Sequence, residues 1–282
     1  MAGAALADKF QLFRISLLQR AQIDAFENPR LTREEFLREV FSENWEFPHY
    51  GSRFHYRPDP SHSAREVLMG RLGRRVLTEE NSPPEMGLEE VIHEAWKACL
   101  IVVDPTDHVD GQKASVEVFK EIGGPIALIS ALARCVNQQR PHAPFVMDVQ
   151  PIFDAATFWE FARQNQGQVT SITFDFVTPN GLWSVDEEMR DELIELRKAI
   201  KTQSVSTTFK SSEGLDTDAK QIKDAVDYAE TGSGKIRARA RRDKTFNSTE
   251  KPKIVTLSED RQARESLLDR AAAKWKKILG RE

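Results

Sequence analysis

Val169-Thr-Ser-Ile-Thr-Phe-Asp-Phe-Val177 alternates without a break, with Ile172, Phe174 and Phe176 on one side of an extended chain. It predicts a strand with one buried face, ended by Pro179-Asn-Gly181. Upstream, Phe145–Ile152 reads as a strand and Asp154–Gln164 as a helix with Asp154 as its cap. Downstream come a helix over Asp186–Lys201, a strand over Ser204–Lys210 and a helix over Asp216–Glu230. Gly232-Ser-Gly234 is a turn, Lys235–Arg242 a strand, and Lys253–Leu257 a further short strand. A last helix starts at Ser258 without a capping box, since Arg261 holds its third position. Ala263, Leu267, Ala271, Trp275, Ile278 and Leu279 form its apolar face. Strand–helix alternation over 145–242 predicts a sheet covered by helices, and both a parallel and a ferredoxin-like mixed sheet satisfy the order.

The first half begins with a strand over residues 10–19. Thr32 and Glu35 have capping-box spacing before a helix that buries Phe36, Leu37, Val40 and Phe41. Residues 44–62 read as irregular, with a short strand over 53–57. Arg65–Thr78 is strand-like although Gly70 and Gly73 interrupt it, and Asn81-Ser-Pro-Pro84 is a loop. Glu94–Val103 and Ala114–Phe119 read as paired strands around the turn chemistry of Asp104–Gly111. Residues 124–138 form a helix with Ile126, Leu128, Ile129, Leu132, Ala133 and Val136 as its stripe. Pro141 and Pro144 bracket a connector. The expectation is an α+β protein of two domains, 1–140 and 144–282, each a mixed β-sheet with packed helices. The second has βαβ-type order and a terminal helix.

Composition limits the function classes. Of 282 residues, 40% are apolar and 30% charged, enough for a core and too apolar for a disordered chain. No apolar run approaches the roughly 18 residues of a membrane span, and the N-terminus does not read as a signal peptide. Cys99 and Cys135 are expected as buried thiols in a reducing cytoplasm. The formal charge is −4, yet residues 231–282 hold 15 basic and 7 acidic residues, a net +8, leaving −12 for the rest. Such a split points to a polyanionic partner or to a basic tail folded onto an acidic body.

Lys235-Ile-Arg-Ala-Arg-Ala-Arg-Arg242 carries the functional expectation. As a strand it places Lys235, Arg237, Arg239 and Arg241 on one face and Ile236, Ala238 and Ala240 on the other. Same-face cations are then roughly 6.6 Å apart, close to the spacing of successive phosphates on a nucleic-acid strand. Arginine also grips phosphate with a planar fork. An edge position would suit the charges too. Lys274, Lys276, Lys277 and Arg281 add positive charge at the end of the last helix, where they also meet its dipole.

Other motifs fail on spacing. Gly232-Ser-Gly-Lys235 has Ala229 and Ile236 where a phosphate loop needs Gly and Ser or Thr. His49, His55 and His62 match no metal pattern. Asp104, Asp107, His108 and Asp110 share one loop, which would suit a metal-dependent nuclease. Glu117 and Lys120, three apart on a strand, would face opposite ways and could not join one site with it. Asp148, Asp154 and Asp175 lie near strand ends without a rule that joins them, and no Gly-x-Ser-x-Gly elbow occurs.

Phe10-Gln-Leu-Phe-Arg-Ile15, Ile101-Val-Val-Asp-Pro105 leading to Gly111-Gln-Lys-Ala-Ser-Val-Glu117, and Ile172-Thr-Phe-Asp-Phe-Val-Thr-Pro-Asn180 resemble an uncharacterised bacterial phage-defence family. The plan is also loosely similar to the RexA-type phage-exclusion DNA sensor. Gly181-Leu-Trp183 and residues 44–62 depart from that resemblance. It implies nucleic-acid sensing beside an effector partner. The resulting expectation is a cytoplasmic, non-catalytic protein, without cofactor or metal, that binds duplex DNA by preference. Lys235, Arg237, Arg239 and Arg241 would contact phosphates, with Arg242 and Lys244 in support, and a homo-oligomer is expected. The alternatives are a nuclease using the Asp104–Asp110 loop and an assembly module whose basic tail docks on an acidic surface.

Overall fold

In the computed structural model the described residues are 8–20, 31–108, 111–177, 204–257 and 266–281. The large sheet is organised on β1 (Asp8–Gln19), whose residues 10–18 are almost all buried. On one side it pairs with β6 (Gln112–Glu117). On the other it pairs with two strands from far along the chain, β7 (Phe145–Pro151) and β12 (Ile254–Leu257). Beyond β6 lie β5 (Glu90–Asp104), β4 (Leu68–Asn81), β3 (Ser52–Pro58) and β2 (Trp45–His49), in that order. The expected connector at 141–144 thus precedes a strand, β7, that pairs with β1.

Two helices pack on one face, α1 (Arg33–Ser42) and α2 (Pro125–Gln139). Their Phe36, Val40, Leu128 and Leu132 meet Phe13, Ile15 and Leu72 in one apolar cluster. The Thr32–Glu35 capping box is formed, as the spacing predicts. On the opposite face, α5 (Leu267–Ala273) and α6 (Trp275–Ile278) bring Leu268, Ala271 and Ile278 onto Phe10, Met69, Leu100 and Val102. Ser266, not Ser258, caps α5, and it forms a capping box with Asp269. Ser258 and Ala263 lie outside the described residues, as does the helix expected over 186–201. The terminal helix is interrupted at Lys274, whose φ and ψ are −118° and 24°.

The second sheet has the order β11-β10-β8-β9, where β8 is Val169–Val177, β9 Ser204–Lys210, β10 Gly234–Ala240 and β11 Thr245–Asn247. Two helices cover its inner face, α3 (Ala155–Gln164), capped by Asp154, and α4 (Lys220–Tyr228). Phe158, Ile222 and Val226 pack there with Ile172, Phe174, Ile236 and Phe246. β9 and β10 both run antiparallel to β8 and therefore parallel to each other, with α4 as the crossover.

The chain is α+β, as expected, but the mixed sheets are not found. Every pairing among the described strands is antiparallel. Residues 44–62, read as irregular but for a strand over 53–57, hold that strand as β3 in a hairpin with β2, turned by Tyr50 and Gly51 at φ 44° and 72°. Two consecutive left-handed residues are the geometry of a tight hairpin. Pro48 is tolerated because β2 is the sheet edge. The glycine that seemed to interrupt β4 has a packing role: a side chain at Gly70 would overlap the buried Tyr56 ring, whose hydroxyl donates to the Phe41 carbonyl at 3.0 Å.

Candidate nucleic-acid interface

β10 has the expected period of two. Ile236, Ala238 and Ala240 are buried, while Arg237 and Arg239 are exposed and Lys235 is half-exposed on the opposite face. The register then defines rows across the sheet. Lys210, Ser171, Arg239 and Thr245 form one row; Thr208, Thr173, Arg237 and Asn247 form the next; Ser206, Asp175 and Lys235 form a third. Neighbouring strands are about 4.8 Å apart and same-face residues about 6.6 Å apart along each strand. The result is a flat field of hydroxyls and cations, with four basic side chains and one carboxylate on these rows. The sheet's aromatic side chains Phe174, Phe176 and Phe246 are buried, and Phe209, opposite the buried Ile172 and so also off the outer face, is partly exposed.

Few internal contacts neutralise the cations. Arg237 donates to Asp175 Oδ2 at 2.8 Å, and Ser206 Oγ donates to the other oxygen at 2.6 Å. Arg237 is well exposed and Asp175 partly so, so water screens the pair and it contributes little to stability. Thr173 and Thr208 hydroxyls share a hydrogen bond of 3.0 Å. Lys235 and Arg239 make no ion pair with any described residue.

One expected member leaves the row, and the two supporting residues lie beyond its end. The register shifts between Arg239 and Ala240, and β10 ends at Ala240. Arg241 therefore does not continue the line of cations; its guanidinium donates to the Ser212 carbonyl at 2.9 Å. Arg242 and Asp243 form the tip of the β10–β11 turn at φ 61° and 55°, and Lys244 returns the chain by accepting from Ala240 N–H at 2.8 Å. Arg242 and Lys244 thus sit at the rim of the face. β10 is also internal, between β8 and β11, and not at an edge. Lys210, Thr173, Ser206 and Thr208 were not anticipated. Their alternation is visible in the sequence, but only the strand order brings them beside β10.

Two further cations of the basic tail are used internally. Arg270 pairs with Asp8 at 2.6 Å and Arg281 with Asp104 at 2.9 Å, both largely buried. Asp104 also accepts from Thr106 and meets His108 Nε2 at 3.0 Å. Asp110 lies outside the described residues. Glu117 accepts from the Leu100 N–H, and burial raises its pKa. The three histidines are separated: His49 rests on Tyr50, His55 meets Glu46, and His62 lies between Asp59 and Asp269. Asp148 accepts from Gln150 and Asp154 caps α3, so neither meets Asp175. Among the described residues no group of three His, Cys, Asp or Glu side chains is placed to hold a metal ion. No helix among them is long and apolar enough to cross a membrane.

No family model, curated protein or solved structure matches this chain. The functional reading therefore rests on the geometry of the sheet face.

Proposed function

We propose that the protein is a cytoplasmic, non-catalytic nucleic-acid-binding protein that lays the outer face of its four-stranded sheet against backbone phosphates. The observation that carries this reading is the outward row Lys235, Arg237 and Arg239, joined by Lys210 and by threonine and serine hydroxyls, with Asp175 as its one carboxylate. Hydroxyls and guanidinium groups are the usual donors to phosphate oxygens. The face has no aromatic platform, which disfavours base stacking and favours backbone contact, with duplex DNA as the expected ligand.

Fluorescence anisotropy against salt tests it. Lys235→Ala combined with Arg239→Ala removes two cations that make no ion pair with any described residue. It should weaken binding and flatten the log–log salt slope by about 0.9 per lost phosphate contact. Asp175→Asn should strengthen binding, because it removes the carboxylate that holds Arg237. Equal affinity of the wild type and the Lys235/Arg239 variant would remove the proposal. Arg241→Ala, by contrast, is expected to act through the loop at Ser212 and to leave the salt slope unchanged.

A further inference from the structure

The outer face of the large sheet loses its cover where α5 and α6 stop, at Met69 and Leu100. Past that line β3 alternates the buried Phe54 and Tyr56 with the exposed Arg53 and Arg57. β4 places Arg71 and Arg75 outward beside them, with Gly73 between the two. Arg57 lies directly opposite Arg71, and Arg53 and Arg75 follow one residue beyond the Phe54–Arg74 rung. Two pairs of guanidinium groups therefore stand about 13 Å apart along the strands. Like charges directly opposite on neighbouring strands destabilise a sheet unless an anion lies between them.

The protein neutralises this face only in part. Glu46 pairs with Arg57 at 2.9 Å and Glu94 with Arg75 at 2.7 Å, both in solvent. Arg53 and Arg71 make no ion pair with any described residue. Glu117, farther along the row of Arg71, is half-buried and accepts from the Leu100 N–H. On the reverse face, by contrast, Arg74 and Lys97 are held by Glu121 through its carbonyl and its carboxylate. Between the two arginine pairs lies an aromatic platform. His55 on β3 and Trp96 on β5 are separated by a whole strand, yet their rings meet at 5.1 Å. Gly73, opposite His55 and Ala98 on the strand between, has no side chain to keep them apart. Trp96 is 63% exposed, so its ring is open to solvent.

We propose that this face binds a single-stranded nucleic acid, with a base stacked on Trp96 and phosphates held by the arginine pairs on either side. The unneutralised arginines call for an anion, and the open rings between them call for a flat group carried by that anion. A span of about 13 Å is two phosphate steps of a strand, with a base between. Arginine forks suit phosphate, and aromatic rings on a sheet face hold unpaired bases, whose faces a duplex keeps buried. Beyond Arg75 the strands turn acidic: residues 79–94 contain six glutamates and no lysine, arginine or aspartate. That stretch repels phosphate, so the bound segment ends at Arg53 and Arg75. The site lies on the other sheet from β10 and stands independently of the reading given to that face.

Titration of the full chain with a fluorescein-labelled octathymidylate, read by anisotropy and by tryptophan quenching, is the test. Trp96→Ala should weaken binding by roughly tenfold, the loss expected for one stacked base. Trp96→Phe keeps a ring and should retain most of the affinity while losing the quenching. Arg53→Ala with Arg71→Ala removes the two cations without an ion pair and should flatten the log–log salt slope by about 0.7 per lost phosphate contact. In the Lys235→Ala/Arg239→Ala background the Trp96→Ala effect should keep its size, so a failure here and a failure at β10 are told apart. These positions are exposed, and circular dichroism checks that each variant is folded. A wild-type chain that does not bind octathymidylate, or a Trp96→Ala variant that binds it equally well, would overturn the proposal. Polyglutamate bound as tightly as the oligonucleotide would overturn it too and assign the face to an acidic protein.

Discussion

Arg242 and Asp243 stand side by side in left-handed backbone at the tip of the β10–β11 turn. Arginine is not favoured there and aspartate is tolerated less readily than glycine; Asn-Gly is the pair that suits two positive φ angles. Each non-glycine residue in that region costs about 1 kcal/mol. Arg242→Asn with Asp243→Gly should therefore stabilise the fold by about 1 kcal/mol, seen as a higher denaturant midpoint at unchanged slope. If Arg242 also touches phosphate from the rim, the same variant should bind nucleic acid more weakly while being more stable. That opposite movement would separate a functional reason for the arginine from a folding one. A midpoint that falls would mean that the side chains stabilise the turn by more than the backbone strain costs.

The elements were legible where periodicity and capping act locally. The alternation of Val169–Val177 and of Lys235–Ala240 gives both strands, and Thr32 with Glu35 gives the start of α1. Pairing was not legible. β7 and β12 join β1 through hydrogen bonds between segments more than a hundred residues apart, which no local pattern encodes. For the same reason the basic row could be predicted from Lys235, Arg237 and Arg239, whereas the hydroxyls of β8 and β9 beside it could not. The cap of α5 shows a further case. His62, in the loop between β3 and β4, sets Nδ1 3.0 Å from Asp59 and Nε2 3.1 Å from Asp269, the capping-box residue. Hydrogen bonds to Asp59 and then Asp269 raise the His62 pKa. A raised histidine stabilises below its ordinary pKa of about 6.5, and that contribution is lost as pH rises through the higher folded value. The amides of α5 and α6 should therefore exchange hydrogen more freely at about pH 8.5 than at about pH 5.5, after correction for intrinsic rates. In His62→Gln the corrected difference should vanish. A wild-type helix with equal protection at both values would refute this role for His62.

At the scale of the molecule, the chain's end is tied to its first half. Arg281 donates to Asp104, which is fully buried at the end of β5, and also to the carbonyl of Gly111. α5 and α6 between them seal the face of the large sheet that holds Phe10, Leu100 and Val102. The second sheet is tied to the same face of β1, farther along the strand. Gly232, at φ 80° just before β10, lies so close to Arg14 of β1 that a Cβ would come within 2.6 Å of the Arg14 Cβ. Arg14 in turn donates to Thr231 Oγ1 at 2.9 Å. Long-range ties of this kind predict that losing a terminal residue is felt throughout. Arg281→Ala takes from the buried Asp104 its arginine partner, and breaking such a pair costs about 3–5 kcal/mol. Its effect should appear as one cooperative transition at lower denaturant, not as a separate early step. Asp104→Asn with Arg281→Met removes both charges together, so the double variant should be more stable than Arg281→Ala alone. If the double variant is the less stable of the two, the site depends on hydrogen-bond geometry and not on the buried charge.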